Sequence, residues 1–226
     1  MRLDSINALI DHTILKADAV EAEVRQICEE ARIFGFAAVC VNPGWIKIVS
    51  DVLRGSRVRP CTVAGFPLGA TFPETKAFEA EQAIQQGARE VDMVINVGAL
   101  KDRNYRLIGQ EISAVLQVCH GGGALLKVII ETACLTADEK IKACEIVRDL
   151  GADFVKTSTG FASSGAQVED VALMRRVVGR AVGVKAAGGI RDWITFQSMV
   201  LAGANRIGTS SGVKILQEAA DAIKEG

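Results

Sequence analysis

Histidine and aromatic residues are scarce in this chain. His12 and His120 are the only two imidazoles, and Phe, Trp and Tyr together make up 5% of the residues. Two histidines are too few for the His-rich site of a zinc-dependent lyase, and so few rings give no platform for stacking bases. The cysteines Cys28, Cys40, Cys61, Cys119, Cys134 and Cys144 contain no C-x-x-C pair. That spacing excludes a zinc ribbon or a thioredoxin-like motif and leaves reduced core thiols, so no metal site is expected. No apolar run approaches the roughly 18 residues of a membrane span. Met1-Arg2-Leu3-Asp4 opens no secretory leader, and the expected compartment is the cytoplasm. A formal net charge of −1 marks no surface for nucleic acid or an acidic membrane.

What is present is a repeating unit. Strand-like stretches begin near His12, Ala38, Cys61, Val91, Leu125, Asp153, Gly183 and Asn205. Their apolar runs are short and unalternating, as in parallel strands covered by helices on both sides. Between them lie helical patterns, such as Ile108, Ile112, Val115, Leu116 and Cys119. Thr136 with Glu139 reads as a capping box, Pro73 and Glu74 suit a first helical turn, and His120 falls at a helix C-terminus. Gly87-Ala88, Gly151-Ala152 and Gly203-Ala204 each stand between a helix and the next strand, where glycine supplies the left-handed stop. The recurrence predicts an α/β fold, a single (β/α)₈ TIM barrel over residues 1–226 with a short N-terminal helical segment at its bottom. A doubly wound open sheet is the alternative, but no G-x-G-x-x-G follows the first strand.

The chemistry is signalled by charge in the wrong place. In Asp153-Phe154-Val155-Lys156-Thr157-Ser158-Thr159-Gly160, period-2 alternation puts Phe154, Lys156 and Ser158 on one face. A desolvated lysine sheds its proton more readily and becomes a nucleophile for Schiff-base chemistry on carbonyls. The bland alternative is an edge lysine snorkelling to solvent. Against it, Asp92, Lys127 and Lys185 are lone charges on neighbouring apolar strands. Three lysines around one carboxylate leave an excess of positive charge, which disfavours protonating every amine. A second ammonium about 4 Å away, at an effective dielectric near 20, supplies about 4 kcal/mol of repulsion. Lys185 is expected to hold Lys156 neutral in this way, with Lys127 a weaker candidate.

Glycines and hydroxyls gather after the last two strands, at Gly188-Gly189-Ile190 and Gly208-Thr209-Ser210-Ser211-Gly212. In a barrel these loops commonly cradle a phosphate, because their free backbone N–H groups attract an anion. Tight turns alone would use glycine equally well.

These residues carry a resemblance. Asp11-His12-Thr13-Ile14-Leu15-Lys16, Cys40-Val41-Asn42-Pro43, Val63-Ala64-Gly65-Phe66-Pro67-Leu68-Gly69 and Glu90-Val91-Asp92-Met93-Val94-Ile95-Asn96 are joined by three further stretches. Those are Leu126-Lys127-Val128-Ile129-Ile130-Glu131-Thr132, Phe154-Val155-Lys156-Thr157-Ser158-Thr159-Gly160 and Val184-Lys185-Ala186-Ala187-Gly188-Gly189-Ile190. Over essentially its whole length the chain resembles the deoxyribose-phosphate aldolase family of class I aldolases. The resemblance implies a TIM barrel that reversibly cleaves 2-deoxy-D-ribose 5-phosphate, a small phosphosugar, into D-glyceraldehyde 3-phosphate and acetaldehyde. It implies Lys156 as the Schiff-base lysine with Asp92 and Lys185 as proton carriers, no cofactor, and a cytoplasmic homodimer. Lys127 completes the catalytic set, and Thr157, Cys40, Gly188, Gly189, Gly208, Ser210 and Ser211 are assigned to substrate and phosphate. Some members carry a lysine directly after Thr-Ser-Thr-Gly. Here that position is Phe161, so phosphate binding is expected to lean on the glycine and serine loops.

Two other readings use the same residues. A phosphosugar isomerase or lyase would employ Asp92 directly as base, with Lys156 binding an anion. A non-catalytic phosphosugar-binding barrel would keep the glycine loops but gain nothing from inward lysines.

Overall fold

Strands that are apolar on both faces must be covered on both, and the chain achieves this by closing its sheet. The computed structural model of the protein describes residues 6–225. Strands β1 (Ile10–Ile14), β2 (Ala38–Val41), β3 (Arg59–Ala64), β4 (Glu90–Val94), β5 (Leu125–Ile129), β6 (Phe154–Lys156), β7 (Gly183–Ala187) and β8 (Arg206–Thr209) pair in parallel and in chain order. β1 returns to β8 through the registers Ile10 to Ile207 and His12 to Thr209, which closes the barrel. Every strand starts within two residues of its expected position.

Nine α-helices among the described residues cover the outside: α1 (Glu21–Phe34), α2 (Ile46–Val52), α3 (Pro73–Gln85), α4 (Val97–Lys101), α5 (Tyr105–Gly121), α6 (Ala137–Leu150), α7 (Val168–Val178), α8 (Trp193–Leu201) and α9 (Gly212–Glu225). Local signals set their ends. Thr136 caps α6 by accepting from Glu139 N, while the Glu139 carboxylate accepts from Thr136 N at 2.7 Å. Pro73 opens α3. Gly87, Gly151 and Gly203 stand at φ of 107°, 76° and 115°, a region closed to most side chains, and so end their helices before each strand. The helical segment at the N-terminus is seen at Ile6 and Asn7, with Ile6 buried in the core; residues 1–5 lie outside the described part.

The two sides of each strand face different surroundings. Val39, Val41, Val91, Met93, Leu126, Val128, Val155, Val184 and Ile207 point outward into one continuous apolar layer with the helices. Burying each such side chain contributes about 1.5 to 3 kcal/mol. The inward side chains are a small apolar patch of Ala38, Cys40, Cys61 and Val63 and, across from it, a set of buried charges. The outer layer therefore offsets the desolvation of the inner one.

Candidate active site

Period-2 alternation and strand register bring the inward charges together. Lys127 is the direct register partner of Asp92, and Lys156 that of Lys185, which is in turn paired with Arg206. Asp92 Oδ2 accepts from Lys156 Nζ at 2.8 Å and from Lys185 Nζ at 2.7 Å, while its Oδ1 accepts from Lys127 Nζ at 2.6 Å. The four residues singled out from the sequence therefore do meet.

Three more charges join them that the sequence reading left out. Asp11 Oδ2 lies 2.6 Å from Lys185 Nζ, and Glu90 Oε2 lies 2.6 Å from Lys127 Nζ. Arg206 spans both carboxylates, with Nε 2.7 Å from Asp11 and Nη2 2.6 Å from Glu90. This corrects the expectation of three lysines around one carboxylate. The inward part of the cluster holds four cations against three carboxylates, a surplus of one positive charge, and the exposed Arg59 reaches Glu90 from outside at 3.5 Å.

The partners decide how each group is held. Burial pushes the Asp92 carboxyl up, but Lys127, Lys156 and Lys185 outweigh it and hold it well below the usual carboxylate range. Asp11 is likewise held down against burial, chiefly by Lys185 and Arg206. Burial works against the Lys185 and Lys127 ammoniums as well, yet the facing carboxylates raise both. Lys185 therefore stays charged, as the proposed repeller must, but two carboxylates share that charge and weaken its push on Lys156. Among the carboxylates of the described residues, Lys156 touches only Asp92.

Above Lys156 opens a cavity of about 540 Å³ at the C-terminal end of the strands. Lys156 forms its floor with only 3% of its side chain exposed. Gly188, Gly189, Gly208 and Ser210 form one wall, and Gly160 and Phe161 another. No described residue accepts a hydrogen bond from the backbone N–H groups of Gly188, Gly189 and Ser210, which leaves donors for an anion. Gly208 is required by close approach: a Cβ there would come within 2.9 Å of Ala187 Cβ and 3.1 Å of Lys185 Cε. Phe161 packs edge-on against Phe66 at 5.3 Å and puts an apolar ring at the mouth.

Three assigned residues stand outside the cavity wall. Thr157 points to the other face of β6, and its hydroxyl donates to Ala187 O at 3.2 Å and accepts from Ala187 N at 3.1 Å, which ties β6 to β7. Cys40 is buried in the inner patch, where a hydrogen bond with Cys61 pulls its thiol down. Ser211 donates its backbone N–H to Thr209 Oγ1 at 2.9 Å. The wall instead includes Thr13, Lys16, Thr159 and Arg191, which the sequence reading did not select. Lys16 Nζ lies 2.7 Å from Glu23, and Arg191 is exposed, so two cations stand near the glycine loops. Thr159 is held in place by Glu131, whose carboxylate accepts from its hydroxyl and its N–H.

The ligand atoms of Cys40, Cys61 and Asp92 lie within 4.8 Å of one another, a spacing that would suit a metal ion. Lys127 Nζ sits 3.3 Å from Cys61 Sγ and 2.6 Å from Asp92 Oδ1, so an ammonium already takes the place of a cation.

Comparison with known proteins fits this geometry. The model of the DeoC/LacD family of aldolases matches residues 6–218. The chain belongs to that family. It is 57% identical to deoxyribose-phosphate aldolase of Geobacillus sp. (strain WCH70), over 95% of this chain and 96% of the relative. The enzyme of the same name from Clostridium tetani (strain Massachusetts / E88) is 58% identical, over 94% and 98%. The tetrameric deoxyribose phosphate aldolase of Aeropyrum pernix superposes with a TM-score of 0.90 at 32% identity, over 98% of this chain and 93% of that one. The protein is thus an aldolase of the DeoC/LacD family on a TIM barrel. No helix of the described part is long and apolar enough to cross a membrane.

The buried charges missed from the sequence were open to the same counting that found the others. Glu90 stands two residues before Asp92 on one strand face, and Arg206 two before Gly208. Asp11 needed knowledge that β1 and β8 are neighbours.

Proposed function

We propose that this aldolase reversibly cleaves 2-deoxy-D-ribose 5-phosphate to D-glyceraldehyde 3-phosphate and acetaldehyde through a Schiff base on Lys156. The observation that carries this is the placement of Lys156. It is the lysine of the inward cluster that faces the cavity, with one carboxylate contact where Lys185 has two. Released from Asp92, its amine attacks C1 of the open-chain sugar, and loss of water gives a protonated imine. A base takes the proton of the 3-hydroxyl, the C2–C3 bond breaks, and its electron pair flows to the imine to leave an enamine. Protonation at C2 and hydrolysis release acetaldehyde and restore the amine.

Asp92 Oδ2 lies between the nitrogens of Lys156 and Lys185 and serves as the point through which water relays protons. Lys127 and Glu90 fix the other side of that carboxylate. The phosphate lies against Gly188, Gly189, Gly208 and Ser210. Asp92 acting alone as base suits the site less well, because three ammonium groups already occupy it. No cofactor enters this scheme. Homodimerisation and a cytoplasmic location rest on the resemblance, while the Aeropyrum pernix relative is described as tetrameric.

Borohydride added with acetaldehyde should inactivate the enzyme and leave a reduced two-carbon adduct on Lys156, read by peptide mass spectrometry. An unmodified Lys156 peptide under those conditions would exclude the imine route.

A further inference from the structure

The opposite end of the barrel has a second cavity, of about 340 Å³, which the aldol chemistry does not use. Its wall carries Arg54, Arg57, Arg59 and Arg89, with Ser50 and Ser56 between them. Three of the arginines come from one short run, Arg54-Gly55-Ser56-Arg57-Val58-Arg59, that leads from α2 into β3, and the fourth stands just before β4. All four are exposed.

Few carboxylates face them. Arg54 Nη2 is paired with Asp51 at 2.7 Å, and Asp51 is also bound by Lys47. Arg59 Nη1 lies 3.5 Å from the buried Glu90, whose other oxygen is shared by Lys127 and Arg206. Arg57 and Arg89 make no ion pair with any described residue, and the one side-chain hydrogen bond of Arg89 goes to Ala88 O at 3.5 Å. Like charges gathered on a concave wall raise the potential there and repel one another. In TIM barrels this end of the strands ordinarily serves stability, and four crowded guanidiniums, two of them without an ion pair among the described residues, do not provide it.

We propose that this arginine-lined cavity is a binding site for a multivalent anion of linked phosphates, an oligophosphate either free or carried on a nucleotide. Guanidinium is the side chain suited to the task. Its planar fork gives paired N–H donors to phosphate oxygens and stays charged throughout the physiological range. The run supplies forks at three closely spaced positions and Arg89, just before β4, supplies a fourth, so a chain of two or three phosphates is matched better than a single one. The site is separate from the sugar-phosphate loops, which lie at the other end of the strands.

The test titrates wild type and an Arg57→Gln/Arg89→Gln variant with tripolyphosphate and with ATP by calorimetry, and assays each anion as a competitor of the sugar phosphate to report what the active-site loops take up. Both arginines are exposed and outside the catalytic cluster, so aldolase turnover and melting temperature should stay at wild-type values and report correct folding. Binding of tripolyphosphate by wild type, weakened about tenfold or more in the variant, supports the proposal. ATP binding equally well places the recognition in the phosphates, whereas tighter binding of ATP adds its nucleoside to the site. Absence of binding to wild type at millimolar concentration overturns it. So does binding that the double variant retains in full, since the anion then sits elsewhere. Because the readout is binding, the outcome does not depend on which sugar the enzyme cleaves.

Discussion

Lys156 and Lys185 face each other in register across β6 and β7 and donate to the same oxygen, Oδ2 of Asp92, at 2.8 and 2.7 Å. One carboxylate oxygen thus holds two amines of the same charge side by side. Neither can lose its proton without changing how the other is held.

The first prediction follows from that sharing. Lys185→Leu removes the single surplus charge of the cluster, so the remaining cations and carboxylates balance. Imine trapping on Lys156 at neutral pH should fall about tenfold and recover under alkaline conditions, since roughly 1.4 kcal/mol of lost repulsion corresponds to a factor of ten. The measurement is borohydride trapping across pH. A profile that coincides with wild type would place the perturbing charge elsewhere.

Stability should depend on pH in a defined way. Asp11 and Asp92 are held below their ordinary value of 3.8, so their stabilising contribution is complete above that pH and is lost as pH falls further. Lys127 and Lys185 are held above their ordinary 10.5, so theirs is complete below that pH and is lost as pH rises beyond it. These four groups therefore contribute no slope between the two limits. Chemical denaturation at a series of pH values checks this, and a slope near neutrality that Asp92→Asn removes would contradict it.

Gly208→Ala tests how closely β8 is fitted to Lys185. The new methyl group meets Lys185 Cε at 3.1 Å and Ala187 Cβ at 2.9 Å. Displacing the lysine from Asp92 should lower kcat by about tenfold, roughly 1.4 kcal/mol in the barrier. The loss in kcat is expected with phosphorylated and free deoxyribose alike, because it comes through Lys185, the proposed proton carrier, whereas a rise in KM confined to the phosphorylated sugar would report the phosphate placed against the same glycine.

Ser210→Asp has the opposite signature. A carboxylate on the exposed residue of the β8 loop repels the sugar phosphate and should raise KM for the phosphorylated sugar about tenfold or more, with little change for free deoxyribose. Equal effects on the two sugars would move the phosphate away from this wall.

The sequence disclosed the barrel because its signals are local. Gly151 stops a helix and Thr136 starts one through neighbours only a few residues away, and parallel strands follow from short, unalternating apolar stretches. Lys156, Asp92, Lys127 and Lys185 were legible for a related reason, since a charge in an apolar strand stands out without knowledge of its partners. Asp11 was not, because its partner Arg206 stands at the other end of the chain and the two meet only at the closing seam. Thr157 and Ser211 show the limit of reading motifs. A shared stretch says that its residues lie together, whereas the direction of each side chain depends on which face of the strand it occupies.

Asp11 and Arg206 are separated by 195 positions in the chain and join at the seam between β1 and β8. The buried charge cluster is therefore finished by the last strand to be synthesised. Until β8 docks, Asp11 and Glu90 lack the guanidinium that bridges them, and the half-built interior holds charges whose partners are still in solution. Completion of the active site and completion of the fold become the same event. A chain released before β8 keeps its lysines but lacks Arg206 and the Gly208 and Ser210 wall, and leaves the edges of β1 and β7 unpaired.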